Sequence, residues 1–345
     1  RAKEEFAGEA GKKILKELML VHSVSGREQA VSEKIEEMIA PYVDEVRRDA
    51  MGNLICYKKG TCKNPKKLML AGHMDEIGFL VTGIDEKGYI HVSSIGGIHY
   101  VSAAFSNVVF ENGLKGVLVP EADFGNNFSE SRFVIDIGAT DKKETEKRVK
   151  VGDFASTVSH LEHLSGSFYS GRPFDDRIGC AIMVRAAQTL KDCKNDTWFV
   201  FTTQEEVGCR GAKTAAYGIM PDFSLAFDVT GSGDGPKSRP MAVSLGKGAA
   251  VKVKDSSVIC DSSFVRYLMD LSKEKKIPAQ LEILEGGGTD TCSMQVAGCG
   301  SRATAISVPT RYIHSNNETI SKKDYDACVA LTVALLEKDL NEYKN

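Results

Sequence analysis

The chain has 345 residues, enough for one large domain or two ordinary ones, and 42% of them are hydrophobic, as in an ordinary globular core. Its 44 basic and 47 acidic side chains leave a formal net charge of −3, so there is no overall basic field to draw in nucleic acid or an anionic membrane. The nine cysteines are scattered and never form a CxxC pair, which argues for reduced thiols in a cytoplasm and against a disulfide framework or a structural zinc finger.

The opening stretch, "RAKEEFAGEAGKKILKELML", is charged and helical in period and lacks the apolar run of a signal peptide or a membrane span, consistent with a cytoplasmic protein. In "SGREQAVSEKIEEMI", Ser25 is placed to cap a helix, with Glu28 three residues on and Val31, Ile35 and Ile39 at helical spacing. "RRDAMGNLICYKKG" reads as a strand broken by a Gly52-Asn53 turn, and "KKLMLAG" as a buried strand that delivers "HMDE". From 77 to 165, short strands and glycine turns such as "FLVTGIDEKGYIHVSSIGG" predict a small all-β insertion. Helices and strands then alternate: "DDRIGCAIMVRAAQTLKD", "TWFVFTT", "RGAKTAAYG", "FSLAFD", "SSFVRYLMDLSKEKK", "LEILEG" and "ATAISVP". Ser321 and Asp324 are placed to cap a last helix whose Tyr325, Cys328, Val329, Thr332, Leu335 and Leu336 form one apolar stripe. The expectation is an α/β domain, 1–76 and 166–345, interrupted by a β domain at 77–165.

Polar residues cluster where the strands stop. His73 and Asp75 follow "LMLAG", Glu205 and Glu206 follow "WFVFTTQ", Asp228 follows "FSLAF", and His314 follows "ISVPTRYI". In open α/β sheets, ligands bind beyond the carboxyl ends of the strands. With Asp175 and Asp176 of "FDDRIG", these are the oxygen and nitrogen donors that zinc, cobalt or manganese accept. A thiolate-free set of this kind suits a two-metal site with open positions, where the cations share a carboxylate and acidify a water at neutral pH. Such a site explains why two glutamates stand side by side: one binds a cation while its neighbour accepts a proton.

The motifs "AGHMDEIGF", "FDDRIG", "TTQEEVGCRGA", "AFDVTG", "GGGTDT" and "RYIHSNNE", in this order from residue 71 to 318, resemble the set found in tetrahedral dodecameric metallo-aminopeptidases. That family includes glutamyl, leucyl and lysyl aminopeptidases, and some members carry endoglucanase names. The resemblance implies a three-layer αβα peptidase domain with a barrel-like dimerisation insert, two divalent metal ions (zinc or cobalt, with manganese possible), short-peptide substrates, and six dimers around a cavity. By motif, it implies that His73, Asp175 and Asp228 hold one ion and that Asp175, Glu206 and His314 hold the other, with Asp175 shared. Asp75 is then placed to orient His73, and Glu205 to serve as general base and acid. Where relatives tend to carry Asp-Pro after the double glycine of the insert, this chain has "GGIHYVSAAFSN".

Other residues have plainer readings. If Asp175 is the shared ligand, Asp176 caps the helix that starts at Arg177. His160 and His163 lack a third donor in sequence and read as solvent-facing, as do His22, His91 and His99. "EGGGTDT" lacks the lysine of a Walker motif and reads as backbone close to substrate, with Thr289 and Asp290 at the cavity wall. No histidine is placed to activate Cys209 or Cys292 as a nucleophile. Lys252 and Lys254 read as surface lysines on a strand, with a pocket for acidic side chains as the alternative. A glycoside hydrolase is the rival function, but it needs two carboxylates ~5–9.5 Å apart and has no use for two histidines. A non-catalytic metal-binding protein would be expected to lack Glu205.

Overall fold

The computed structural model describes residues 8–121, 132–236 and 238–343. At its centre, Asp196–Thr202, Lys67–His73, Phe223–Thr230 and Arg302–Arg311 lie side by side and parallel. Parallel neighbours require crossover connections, so helices cover both faces and the strands are buried on both sides. Alternate side chains divide the two faces. Leu68, Leu70, Phe199, Phe201, Leu225, Phe227, Ile306 and Val308 pack under the helices Gly8–Met19, Gln29–Ile39, Arg177–Thr189, Ser262–Glu274 and Lys322–Leu336. Met69, Ala71, Val200, Ala226 and Ala305 pack under Arg210–Ile219 and Thr291–Gln295. The result is a three-layer αβα sandwich with one thick and one thin face.

The thin face is built from small residues: Ala212, Ala215 and Ala216 of its helix meet Ala71, Ala226 and Ala305 of the sheet. Gly211 comes closest, since a Cβ there would lie 2.2 Å from Asn53 Oδ1 and 2.5 Å from Thr203 O. The strands Glu45–Arg48 and Leu54–Lys58 extend one side of the parallel centre. Glu318–Ser321, Phe168–Arg172 and His160–His163 extend the other, and Ala249–Lys254 with Ala279–Ile283 branches from Arg302–Arg311 to complete an 11-stranded sheet.

The inserted strands close into a six-stranded antiparallel barrel: Gly78–Ile84, Ile90–Ile95, Phe133–Asp136, Lys115–Pro120, Asn107–Phe110 and Phe154–Thr157, in spatial order. Phe79, Val81, Ile90, Val108, Phe110, Leu118, Phe133 and Ile135 fill its interior. His160–His163, which the sequence places in the insertion, pairs instead with Phe168–Arg172 in the large sheet.

Two caps differ from expectation because tertiary partners claim the side chains. The second helix starts at Gln29 with no side-chain cap, and the Ser25 hydroxyl donates instead to Asp75 Oδ2 at 2.6 Å. Ser321 does cap the last helix, but Asp324 accepts from Gly246 N and Gly248 N at 2.6 and 2.7 Å. That helix is buried nearly all round, with Ala327, Leu331, Val333 and Ala334 joining the expected stripe, because it lies against the sheet with helices on its flanks. The tight thin face makes a prediction: Ala216→Leu should lower stability by about 1–3 kcal/mol through overpacking, read as a lower midpoint of guanidinium unfolding. An unchanged midpoint would mean that face has slack.

Candidate metal centre

Because the four central strands run the same way, their carboxyl ends share one edge, and each end releases a polar residue there. His73 closes its strand opposite Thr202, and Asp228 lies two residues before the end of its own strand. Asp175 precedes the helix Arg177–Thr189, and His314 follows Arg302–Arg311. Asp175 stands between the two imidazoles, with Oδ1 3.0 Å from His73 Nε2 and Oδ2 3.1 Å from His314 Nε2. Glu206 Oε2 is 3.3 Å from His314 Nε2, and Asp228 Oδ1 is 4.0 Å from His73 Nε2. Glu205 Oε2 lies 3.7 Å from His73 Nε2. Asp176 has other partners: its Oδ1 accepts from Gly179 N at 3.0 Å as a helix cap and its Oδ2 from His73 N at 3.1 Å, although one of its oxygens also comes within 4.8 Å of ligand atoms of His73 and Asp228.

Four consecutive amides of the Glu205–Glu206 loop end on side-chain acceptors. Thr203 N donates to Asn53 Oδ1, Gln204 N to Glu28 Oε1, Glu205 N to Asp75 Oδ1, each at 3.0 Å, and Glu206 N to Asp75 Oδ2 at 3.2 Å. Asp75 therefore holds this loop as well as facing the imidazole. His73 Nδ1 sits 3.0 Å from the Asp75 main-chain carbonyl and 3.5 Å from its carboxylate. Glu318, to which the sequence reading gave no role, fixes the opposite side by accepting from Phe174 N, Asp175 N and His314 N at 2.7, 3.2 and 3.0 Å. Neither Glu28, Asn53 nor Glu318 has a local sequence signal for these roles, since each acts on a segment distant in the chain or on amides that any residue could carry.

The tautomers are fixed by carbonyl oxygens, which only accept. His73 Nδ1 faces Asp75 O, and His314 Nδ1 faces Gly97 O at 2.9 Å, so each Nδ1 carries the proton and Nε2 faces the carboxylates. Nε2 donates to Asp175 at 3.0 Å from His73 and 3.1 Å from His314, and is thus the nitrogen that offers its lone pair once a cation displaces that proton. Gly97 permits this approach, as a Cβ there would lie 3.0 Å from His314 Nδ1.

The electrostatics favour the same reading. Burial, then the charge of Asp175, holds the Glu206 and Asp228 carboxyls above their usual range, well above in the case of Asp228. Burial also raises Glu205 well above its ordinary value, with Asp228, Asp290 and Glu206 adding to it against His73. At Asp175 burial acts in the same direction, but hydrogen bonds with His314 and His73 outweigh it and pull the carboxyl down. A buried excess of carboxylate over imidazole is the charge environment that divalent cations neutralise. His73, Asp175 and Glu206 have ligand atoms all within 4.8 Å of one another, as do His73, Asp176 and Asp228. The residues present therefore fit metal binding.

Comparison with known proteins agrees. The family model for M42 glutamyl aminopeptidase matches residues 52–331. The chain belongs to this family and is a metallo-aminopeptidase, a hydrolase. It is 44% identical to a putative aminopeptidase of Acetivibrio thermocellus, over 93% of this chain and 96% of that one. Its fold matches that of aminopeptidase APDkam598 from Desulfurococcus kamchatkensis with a TM-score of 0.92 and 34% identity, covering 98% and 96% of the two chains. The Pyrococcus horikoshii TET1 peptidase, which can assemble into a tetrahedron or a large octahedral shell, matches with a TM-score of 0.83 and 33% identity over 94% and 99%. Among the described residues of this M42 peptidase, no helix is long and apolar enough to cross a membrane.

The remaining sequence candidates fall into place around the site. Lys252 is not a surface lysine: it is fully buried, its ammonium paired with Glu282 and lying 3.3 Å from Asp255 Oδ2. Lys254 is the partly exposed one, 3.8 Å from Glu285. Thr289 and Asp290 are buried, with Asp290 Oδ2 accepting from Thr202 Oγ1 at 2.5 Å. His160 faces Asn317, and His163 faces Gly166 O, both away from the carboxylate group. Removing the Lys252 charge leaves Glu282 and Asp255 uncompensated, so Lys252→Met should cost about 3–5 kcal/mol in chemical unfolding. The double variant Lys252→Met/Glu282→Gln should lose less, and equal losses would rule out the pairing as the cause.

Proposed function

We propose that the enzyme removes amino-terminal residues from short peptides at a pair of divalent cations, with Asp175 shared between them. His73, Asp175 and Asp228 would hold one ion, and Asp175, Glu206 and His314 the other. The observation that carries this reading is Asp175, whose two oxygens meet the two Nε2 atoms at 3.0 and 3.1 Å. When bound, the cations supply Lewis acidity that polarises the scissile carbonyl and makes water acidic near neutral pH. Zinc, cobalt or manganese suits the oxygen and nitrogen donors.

The protein's own groups do the rest. Glu205 borders the cage through Oε2, 3.7 Å from His73 Nε2, and its amide is pinned by Asp75. From there it takes the proton of the attacking water and returns it to the leaving amine. A buried carboxylate such as Asp290 is suited to receive the free α-amino group that marks an exopeptidase substrate. Thr289, Asp290's neighbour, holds the segment by a hydrogen bond to Thr291 Oγ1 at 2.9 Å. Lys252, spent on Glu282 and Asp255, leaves no argument for a pocket selective for acidic side chains. The rival glycosidase has no use for two imidazoles held with Nε2 toward a shared carboxylate.

Self-association into dimers and a tetrahedral dodecamer belongs to the same proposal, and so does residence in the cytoplasm with reduced thiols. The barrel supports it by exposing Val101 and Val151, each at 67%. In solution, the native mass should be that of a dodecamer, and Val101→Asp should shift it toward smaller species.

Glu205→Gln tests the chemistry. Hydrolysis of aminoacyl p-nitroanilides should fall by at least ~10²-fold while bound metal is unchanged, and a chelator should stop the wild-type reaction. Full activity in the variant would remove Glu205 from the mechanism, and chelator-resistant release of reducing sugar from carboxymethyl cellulose would favour the glycosidase.

A further inference from the structure

Glu205 has two oxygens, and they face different neighbours. Oε2 looks toward His73, while Oε1 accepts from Cys209 Sγ at 3.4 Å. On that second side, Glu205, Cys209 and Asp290 each place one donor atom within 4.8 Å of the others. Asp290 is only 2% exposed. One of its oxygens accepts from Thr202, and the other, Oδ1, has no hydrogen-bond partner among the described residues. A buried carboxylate oxygen with nothing to accept is costly unless a ligand satisfies it.

The thiol is held in place for this role. Cys209 N donates to Glu205 O at 2.9 Å, and Ser293 Oγ donates to Cys209 O at 3.0 Å. The backbone of Cys209 is left-handed, with φ of 51°. The Cys292 thiol lies within hydrogen-bond reach of Cys209, and that contact raises the Cys209 thiol while lowering that of Cys292, so Cys209 gives up its proton only when a cation binds.

We propose that Glu205, Cys209 and Asp290 form a third cation site, separate from the pair around Asp175, which takes a thiophilic divalent ion and inhibits the enzyme. Two carboxylates and a sulfur suit zinc, cobalt(II) or cadmium and disfavour magnesium or manganese. On binding, the Cys209 thiol releases its proton to solvent and a sulfur–metal bond forms, with no change of oxidation state. The ion engages Glu205 Oε1, so Glu205 loses its capacity to take a proton. The inhibitory half rests on the reading of Glu205 as proton carrier, whereas the binding half does not.

Cobalt distinguishes the two halves, because the Asp175 pair has no sulfur ligand, so a thiolate-to-cobalt charge-transfer band in the near ultraviolet that depends on Cys209 reports the third site. Holoenzyme carrying two zinc ions per chain and titrated with cobalt(II) should develop that band with one additional cobalt per chain, and peptide hydrolysis should fall in parallel. Cys209→Ser should lose the band and need at least roughly tenfold more cobalt for the same inhibition, since a lost ligand costs no less than a lost outer partner. Cys209→Ala, with circular dichroism to verify folding, serves if serine disturbs the loop. Absence of a band in the wild type, or its survival in a folded Cys209 variant, would overturn the proposal. A band that saturates without inhibition would leave the site standing and instead remove Glu205 from catalysis.

Discussion

The organising constraint is the crowding of negative charge in a dry place. Asp175, Glu206 and Asp228 are almost wholly withdrawn from water beside only two imidazoles, and burial together with mutual repulsion raises Glu206 and Asp228. Such a set persists only if backbone donors immobilise it and cations neutralise it. Every nearby element contributes to one of these needs. The parallel strands bring the groups to one edge, Asp75, Asn53 and Glu28 take up the loop amides, and Glu318 ties Asp175 to His314.

The barrel belongs to the site as well as to the surface. Its Gly97 carbonyl fixes the His314 tautomer, and Asn316 Nδ2 donates to Ser102 O at 3.0 Å, so the His314 loop is held from the insertion. The backbone here is bent into uncommon conformations: Gln204, Tyr312 and His314 have φ of 54°, 61° and 63°. Residues held in this region cost of order 1–3 kcal/mol each and cluster where geometry matters more than local comfort. The "GGIHYVSAAFSN" segment is therefore read as structural support for His314, since it supplies both Gly97 and the short helix Tyr100–Ala103.

Much of this was legible in the chain because its signals are local. Apolar runs such as "KLMLAG" and "WFVFT" mark central strands, and the polar residue just after each run is forced to the carboxyl edge. What could not be read was the use of polar side chains by distant partners. Ser25 has the spacing of a helix cap yet serves Asp75, 50 residues away. Lys252 looks like an exposed lysine in an alternating strand, and the approach of Glu282 from the neighbouring strand, with Asp255, makes its burial tolerable. Glu318 and Asn53 act through main-chain amides, which leave no trace in residue type. The last helix presents one stripe by periodicity and buries nearly all its sides, because the strands and helices around it are set by topology.

The central claim is that Asp175 is shared by two cations, and anomalous diffraction from zinc-soaked crystals, recorded above and below the zinc absorption edge, addresses it most directly. The account predicts two strong peaks per chain on either side of Asp175, one beside His73 and Asp228 and the other beside His314 and Glu206. A single peak, or peaks that leave Asp175 untouched, would contradict it.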